Sequence, residues 1–239
     1  MATIYIQDTF TEGSDVELSL HTPDIGGAWS KHPSFATSAT VVASEDRLRG
    51  DSSTASSLYT NATAPATNDY KIEWTARQTT VGTGSRAGAV GRYNATTNDG
   101  YNVYYDGTQW ILVSVVSGTA TELAAWNGSE TVNTDYAIRW TMLGGLHEVF
   151  FDGVRRISTT DNTFLSAGRA GILCRLNGRV DNFTVSSLDA GNARVEQVAV
   201  RVISTNKLNV IVEQVPIRVV SENVPDDAGG RRRQMAVCN

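Results

Sequence analysis

Three dipeptides in this chain favour tight antiparallel turns: Asp106-Gly107, Asp152-Gly153 and Asn177-Gly178. Each lies between runs rich in β-branched and aromatic residues. Asn-Gly and Asp-Gly accept the positive φ angles that a two-residue type I′ turn requires, so each dipeptide predicts a β-hairpin. Because a hairpin joins neighbouring antiparallel strands, we expect the chain to fold mainly into antiparallel sheets.

Strand-forming runs recur at short intervals between Ile4 and Leu188, where helical periodicity is almost absent. Strands are predicted at 70–76, 88–93, 101–105, 110–115, 136–142, 149–151, 171–176 and 179–185. Many antiparallel strands of this length form a sandwich or a jelly roll. We therefore expect an all-β fold, an antiparallel jelly-roll sandwich, with Trp29, Trp74 and Trp140 in its core.

Composition excludes several classes of protein. The chain has 239 residues, of which 41% are hydrophobic and 19% charged, as in an ordinary globular protein. A net charge of −5 provides no positive field for nucleic acid or an anionic membrane. No apolar run approaches the roughly 18 to 20 residues of a membrane helix. Cys174 and Cys238 are too few for a disulfide framework or a cysteine-based metal site.

The first ten residues do not have the pattern of a signal peptide. They lack a basic segment followed by a long apolar run, and strand-like residues begin by Ile4. We expect a protein made in the cytoplasm. The alternative is a mature secreted protein that begins behind an added methionine.

A repeat with a period of 17 residues follows the predicted domain. Val195-Glu-Gln-Val-Ala-Val-Arg-Val202 recurs as Val212-Glu-Gln-Val-Pro-Ile-Arg-Val219. Both copies alternate like strands with one buried face. Two strands alone are marginal in water, so this pair should pack on its own domain or on another subunit. Pro216 removes a backbone donor, which favours an edge position for the second copy.

We predict two regions: a jelly-roll domain at 1–190 and a tail at 191–239, a C-terminal extension of two repeated β-strands for anchoring or oligomerisation. The apolar positions of both copies are predicted to form the assembly interface: Val195, Val198, Val200, Val202, Val212, Val215, Ile217 and Val219.

Residues 1–188 resemble the concanavalin A-like lectin/glucanase superfamily in its laminin G-like form. The resemblance rests on the opening Asp8-Thr-Phe10, the loop at 23–29, the pair 88–93 and 100–105, and the closing strand at 178–185. It implies a jelly roll of two curved antiparallel sheets in which the first and last strands pair.

Glucanases of this superfamily carry two carboxylates on one strand in a Glu-x-Asp-x-x-Glu pattern, because hydrolysis needs an acid and a nucleophile on the same face. This chain has no such spacing; its nearest acidic pairs are Asp15 with Glu17 and Glu45 with Asp46. We therefore expect a protein that is not an enzyme.

The resemblance also implies a structural Ca²⁺ near the paired terminal strands, which points to Asp8 and Asp181. Calcium takes about six to eight oxygen ligands, of which two carboxylates supply only part. The alternative is that both carboxylates cap turns or face solvent. No other cofactor is expected.

Glycan binding requires an exposed aromatic ring with amide or carboxylate groups beside it. Trp126 and Asn127 form the best local candidate because they lie in a turn-like segment, and Tyr104 and Tyr105 are further candidates. The alternative is that Trp126 covers a sheet edge or a subunit contact.

The tail resembles the V-x-Q-V-x-V-x-V strands at the C-termini of tailed-phage virion proteins, often found after a lectin-like domain. This resemblance predicts a non-enzymatic virion structural protein: a capsid decoration, fibre or tail-associated subunit made in the host cytoplasm. Its partners would be other virion proteins bound by the C-terminal strands, further copies of itself, and a host surface glycan. The alternative is a carbohydrate-binding module or adhesin; a polysaccharide-degrading enzyme is disfavoured.

Overall fold

The computed structural model describes residues 2–188 except 81, 83, 84 and 129. Both copies of the repeat lie outside the described residues. The predicted boundary at residue 190, the two tail strands and their assembly interface therefore stay predictions.

The described residues form sixteen strands and one short 3-10 helix, η1 (Leu18–Leu20). The strands are β1 (Ile4–Asp8), β2 (Val16–Glu17), β3 (Trp29–Lys31), β4 (Ala39–Val42), β5 (Arg47–Gly50), β6 (Ser57–Asn61), β7 (Tyr70–Gln78), β8 (Ala87–Tyr93), β9 (Gly100–Tyr105), β10 (Trp110–Val116), β11 (Thr119–Trp126), β12 (Asp135–Leu143), β13 (Leu146–Phe151), β14 (Val154–Thr160), β15 (Arg169–Cys174) and β16 (Gly178–Ser187). No helix among them is long and apolar enough to cross a membrane.

Two antiparallel sheets contain these strands. The nine-stranded sheet has the order β14-β13-β12-β7-β16-β5-β4-β2, and β1 also pairs with β16. The seven-stranded sheet has the order β11-β10-β9-β8-β15-β6-β3. The first and last described strands pair, with Asp8 opposite Phe183. The predicted all-β, antiparallel jelly-roll sandwich is confirmed.

The inner faces of the two sheets form the main core, which contains Trp29, Trp74 and Trp140 as predicted. Strand β7 shows how the sequence produces this arrangement. Its residues alternate strictly between buried and half-buried along the whole strand, because successive side chains of a strand point to opposite faces. One face of β7 therefore enters the core and the other lies on the outside of the nine-stranded sheet.

The three turn dipeptides have different outcomes. Asp152 and Gly153 both have positive φ, 47° and 79°, and join β13 to β14 as the predicted hairpin. The Asp106-Gly107 hairpin joins β9 to β10 through a longer loop, closed by a hydrogen bond from the Asp106 amide to the Gln109 carbonyl. The hairpin predicted at 177–178 is wrong, because β15 and β16 belong to different sheets.

Candidate functional site

The outer face of the nine-stranded sheet carries rows of side chains that the strand register aligns. One row crosses β13, β12, β7 and β16: Phe150 lies opposite Arg139, Arg139 opposite Glu73, and Glu73 opposite Thr184. Directly opposed residues on one face of a sheet have their Cβ atoms about 5 Å apart. This row therefore forms a continuous ridge across four strands.

The next row along the strands is made of smaller side chains. Ala137 lies opposite Thr75, and Thr75 opposite Asp181. These short side chains leave a depression beside the ridge, an open pocket of about 250 Å³. We call it the trough, lined by Glu73, Thr75, Ala137, Arg139, Phe150, Gly153 and Asn182.

A β-bulge places Asn182 at one end of the trough. The pairing of β16 with β7 shifts register between Asp181 and Thr184, and Asn182 has a φ of 48°. Its amide N–H donates to Asp181 Oδ1 at 2.6 Å, and its Nδ2 donates to Asp181 Oδ2 at 3.0 Å. Bulges commonly re-aim a side chain beside a functional site. Here the bulge exposes the Asn182 amide at the rim of the trough.

Arg139 lies against the Phe150 ring on one wall of the trough. Its guanidinium carbon lies 4.1 Å from the centroid of the Phe150 ring. Arg139 Nε is buried and has no hydrogen-bond partner among the described residues. The facing carboxylate of Glu73 is bound instead by Lys71 Nζ at 2.9 Å.

Beyond the row of small side chains, the Asp135 carboxylate bridges two arginines. Arg77 Nε and Nη2 each donate to the Asp135 carboxylate at 2.7 Å. Arg47 Nη1 and Nη2 donate to the same carboxylate at 3.1 and 3.0 Å. The hydrogen bond from Arg77 is the main cause that lowers the pKa of Asp135. Bidentate pairs of this kind are rigid as well as strong, so this side of the trough has a fixed shape.

The chemistry of the trough suits a ligand rich in hydroxyl groups. An aromatic ring lies beside a guanidinium, a carboxylate, a hydroxyl and an amide, and all of them are presented by paired strands. Ligand sites typically combine apolar or aromatic surface with a few placed polar groups. Because the sheet already fixes these side chains, a ligand would order little of the protein on binding.

Of the glycan-binding residues predicted from sequence, Tyr104 and Tyr105 point to opposite faces of the seven-stranded sheet. Tyr105 is 3% exposed and packs in the core, with its ring centroid 6.0 Å from that of Trp110. Tyr104 is 8% exposed, belongs to a second buried cluster, and has the guanidinium of Arg86 4.3 Å from its ring centroid. Adjacent residues of a strand cannot share one face, so the two tyrosines do not form one site.

Trp126 and Asn127 lie at the end of β11, an edge strand of the seven-stranded sheet. The Trp126 ring centroid is 4.5 Å from that of Phe151 and 4.9 Å from the guanidinium of Arg156. A Cβ atom on Gly128 would lie 2.3 Å from this ring, so the backbone also covers it. Trp126 thus covers a sheet edge, while Asn127 is exposed.

The two predicted calcium ligands lie on different sides of the nine-stranded sheet. Asp8 is buried, accepts hydrogen bonds from Trp29 Nε1 at 2.6 Å and the Phe10 amide at 2.8 Å, and so caps a turn. Asp181 lies on the outer face, 3.8 Å from Arg47 Nη2. Among the residues described, no group of three or more His, Cys, Asp or Glu side chains could hold a metal ion. The calcium site stays a prediction.

Asp8 also belongs to a cluster of charged groups around His21. His21 Nε2 lies 2.8 Å from Asp8 Oδ1, and His21 Nδ1 lies 2.6 Å from Glu12 Oε1. Burial lowers the pKa of His21, but the hydrogen bonds with Asp8 and Glu12 outweigh it and raise the pKa above its usual value. The protonated ring is the form that can donate to both carboxylates, one from each nitrogen.

Sequence reasoning missed the residues that build the trough. The alternation around Ile138 and Trp140 indicates that Arg139 points outward, but it does not show which side chains lie beside it. Those neighbours depend on the register of strands that are distant in the chain.

Comparisons with known proteins concern the fold. No protein-family model and no curated protein matches the sequence. The structure is similar to the carbohydrate-binding module CBM66 from Bacillus subtilis, with a TM-score of 0.57 and 17% identity over 69% of this chain and 98% of the module. It is also similar to a β-glucanase from Bacillus licheniformis, with a TM-score of 0.51 and 12% identity over 74% of this chain and 100% of the glucanase.

A third similar structure is the exoplasmic/lumenal domain of VIP36 in a form bound to Ca²⁺ and Man3GlcNAc. Its TM-score is 0.52 and its identity 13%, over 67% of this chain and 83% of that domain. At these identities the likeness shows the fold alone, a jelly roll of two antiparallel sheets. The fold implied by the sequence resemblance is thereby confirmed.

Proposed function

We propose that the domain is a carbohydrate-binding module that acts without catalysis and holds a glycan in the trough. The observation that carries the proposal is the trough itself, an open groove in which Phe150, Arg139, Glu73 and Asn182 surround a floor of small side chains. The fold shared with a carbohydrate-binding module and with a glycan-bound VIP36 domain supports it.

The trough suits a chain-like ligand because the residues at its two ends have smaller side chains than Phe150 and Arg139, which form its walls. Gly153 has no side chain, and a Cβ atom there would meet nothing within 4 Å. At the other end Asn182 is exposed on the bulge. Neither Gly153 nor Asn182 adds a bulky side chain at its end of the trough, which suits an extended saccharide chain.

The positions of the nearest carboxylate pairs favour binding over hydrolysis. Asp15 accepts a hydrogen bond from the Ala43 amide at 3.0 Å, and Glu17 accepts one from the Tyr59 hydroxyl at 2.9 Å. Glu45 is bound by the guanidinium of Arg179. Carboxylates engaged in this way stabilise the fold and are not arranged as an acid and a nucleophile around a groove.

A glycan array followed by titration calorimetry tests the proposal. We expect at least one glycan to bind, and the substitution Phe150→Ala to weaken its binding by about tenfold, which corresponds to about 1.4 kcal/mol. Phe35→Ala is the matched control, since Phe35 is a half-buried phenylalanine packed against the seven-stranded sheet. Binding that resists Phe150→Ala, or no binding to any glycan, would refute the proposal.

A virion role is the second candidate, and the repeat in the tail favours it. Val198 and Val200 recur as Val215 and Ile217 in an alternating pattern that suits docking by β-augmentation onto another protein. We propose this as an additional property, with the protein placed in the virion and the trough facing outward. Deletion of 191–239 should then abolish incorporation into particles, and persistent incorporation would contradict the virion role.

A further inference from the structure

Arg139 and Arg49 differ from four other arginines on the outer face of the nine-stranded sheet, and of these two it is Arg139 that lines the trough. The other four hold carboxylates: Arg47 and Arg77 with Asp135, Arg155 with Glu148, and Arg179 with Glu45. Within the described part of the chain, no carboxylate lies within ion-pair distance of Arg139. Its positive charge in the trough is therefore not neutralised by a described neighbour.

The nearest candidate partner is already engaged. Glu73 lies directly opposite Arg139 in the strand register, yet its carboxylate is bound by Lys71. Arg139 Nε is buried without an acceptor among the described residues. The two Nη groups of Arg139 are not among the buried atoms without a partner, so they are the groups that an acceptor of a ligand would contact.

The guanidinium is also held in a suitable orientation. Its carbon lies 4.1 Å from the centroid of the Phe150 ring, and this cation–π contact holds the group beside the trough. The two Nη groups of a guanidinium present N–H donors as a fork that matches the two oxygens of a carboxylate. A lysine at this position would supply the charge but not the fork.

From these observations we propose that the ligand of the trough is an acidic glycan whose uronic acid carboxylate is bound bidentately by Arg139. This inference rests on the proposed function and adds the chemical class of the ligand. Thr75 and Asn182 then meet hydroxyl groups of the same chain.

The charges around the trough also limit how acidic the ligand is. Glu73 is paired with Lys71, and Asp181 lies 3.8 Å from Arg47. One unmatched positive charge fits one carboxylate, and the protein as a whole carries a net charge of −5. The structure therefore favours a glycan in which acidic and neutral sugars alternate over a polyuronate.

The test measures binding of the full-length protein to hyaluronan oligosaccharides, which alternate glucuronate with a neutral sugar, and to their carboxyl-reduced form. Alginate and polygalacturonate, dextran sulfate and a set of neutral glycans complete the panel. We expect hyaluronan to bind at least tenfold more tightly than its carboxyl-reduced form and more tightly than the two polyuronates.

Arg139→Lys should reduce that preference for the carboxylated form by at least tenfold relative to the native protein, because lysine keeps the charge but not the fork. Arg156→Lys is the matched control, because Arg156 lies over Trp126, outside the trough. Thermal unfolding of each variant checks that the fold is intact. The comparison of hyaluronan with its carboxyl-reduced form is made on the native protein and therefore does not depend on any variant folding.

The outcomes separate this inference from the function on which it rests. Neutral glycans that bind with sensitivity to Phe150→Ala, while no carboxylated glycan is preferred, would overturn the inference and leave the proposed function standing. A preference for dextran sulfate that depends on Arg139 would also overturn it. Failure of every glycan in the panel would overturn both.

Discussion

Replacing Glu130 by glutamine should raise the free energy of unfolding at pH 8 and leave it nearly unchanged at pH 4. Burial raises the pKa of Glu130 to about 7, although the hydrogen bond from Trp110 opposes the shift. An unfolded chain releases this proton near pH 4.5. Between these two values the folded state binds more protons than the unfolded state, so the stability of the native protein falls as pH rises.

The size of the effect follows from the difference between the two pKa values. A shift of about 2.5 pH units corresponds to about 3 kcal/mol at 1.36 kcal/mol per unit. The full penalty is present above pH 7 and absent below pH 4.5. Glutamine keeps an oxygen that can accept the hydrogen bond from Trp110 Nε1, which is 2.6 Å from Glu130 Oε1, but it cannot ionise.

Urea unfolding at pH 4 and pH 8, followed by tryptophan fluorescence, measures this difference. The stability gap between Glu130→Gln and the native protein should grow by about 3 kcal/mol from the lower to the higher pH. Glu122→Gln is the control, since Glu122 is exposed on β11. If Glu130→Gln changes stability equally at both pH values, the carboxyl is not desolvated and the reasoning fails.

Two further changes test the core of the domain. His21→Gln should cost most stability below about pH 6.5. The cost should shrink as pH rises through the raised pKa of His21, because the His21 ring of the folded state then loses the proton that its hydrogen bonds with Asp8 and Glu12 stabilise. A cost independent of pH in thermal unfolding would contradict this. Gly171→Ala should destabilise by about 3 kcal/mol, since its Cβ would lie 2.0 Å from the Tyr59 carbonyl oxygen. Gly13→Ala, with open space around it, is the neutral comparison in the same denaturation assay.

The fold class could be predicted because alternation is a local property. The pattern of β7 separates a core face from an outer face without knowledge of any other strand. Turn chemistry was a weaker guide: it succeeded at Asp152-Gly153 and failed at Asn177-Gly178. A dipeptide can specify a sharp change of direction, but it does not determine whether the flanking strands pair or enter different sheets.

The candidate site could not be predicted, because a local pattern does not show which strands pair and therefore which side chains become neighbours. Tyr104 and Tyr105 attract attention as aromatic residues, yet their exposure depends on what packs against each face of the seven-stranded sheet. Phe150 and Arg139 belong to consecutive strands, but Glu73 and Asn182 come from distant parts of the chain. Only the long-range pairing of β7 with β12 and β16 brings these four together.

The pairing of β1 with β16 determines how the domain can be connected to other proteins. The Thr3 amide donates to Ser187 Oγ at 2.8 Å, and the Ser187 amide donates to the Thr3 carbonyl at 2.9 Å. The two ends of the described domain therefore lie next to each other. A domain with this arrangement can be inserted into a loop of a host protein, or circularly permuted, without separating any of its paired strands.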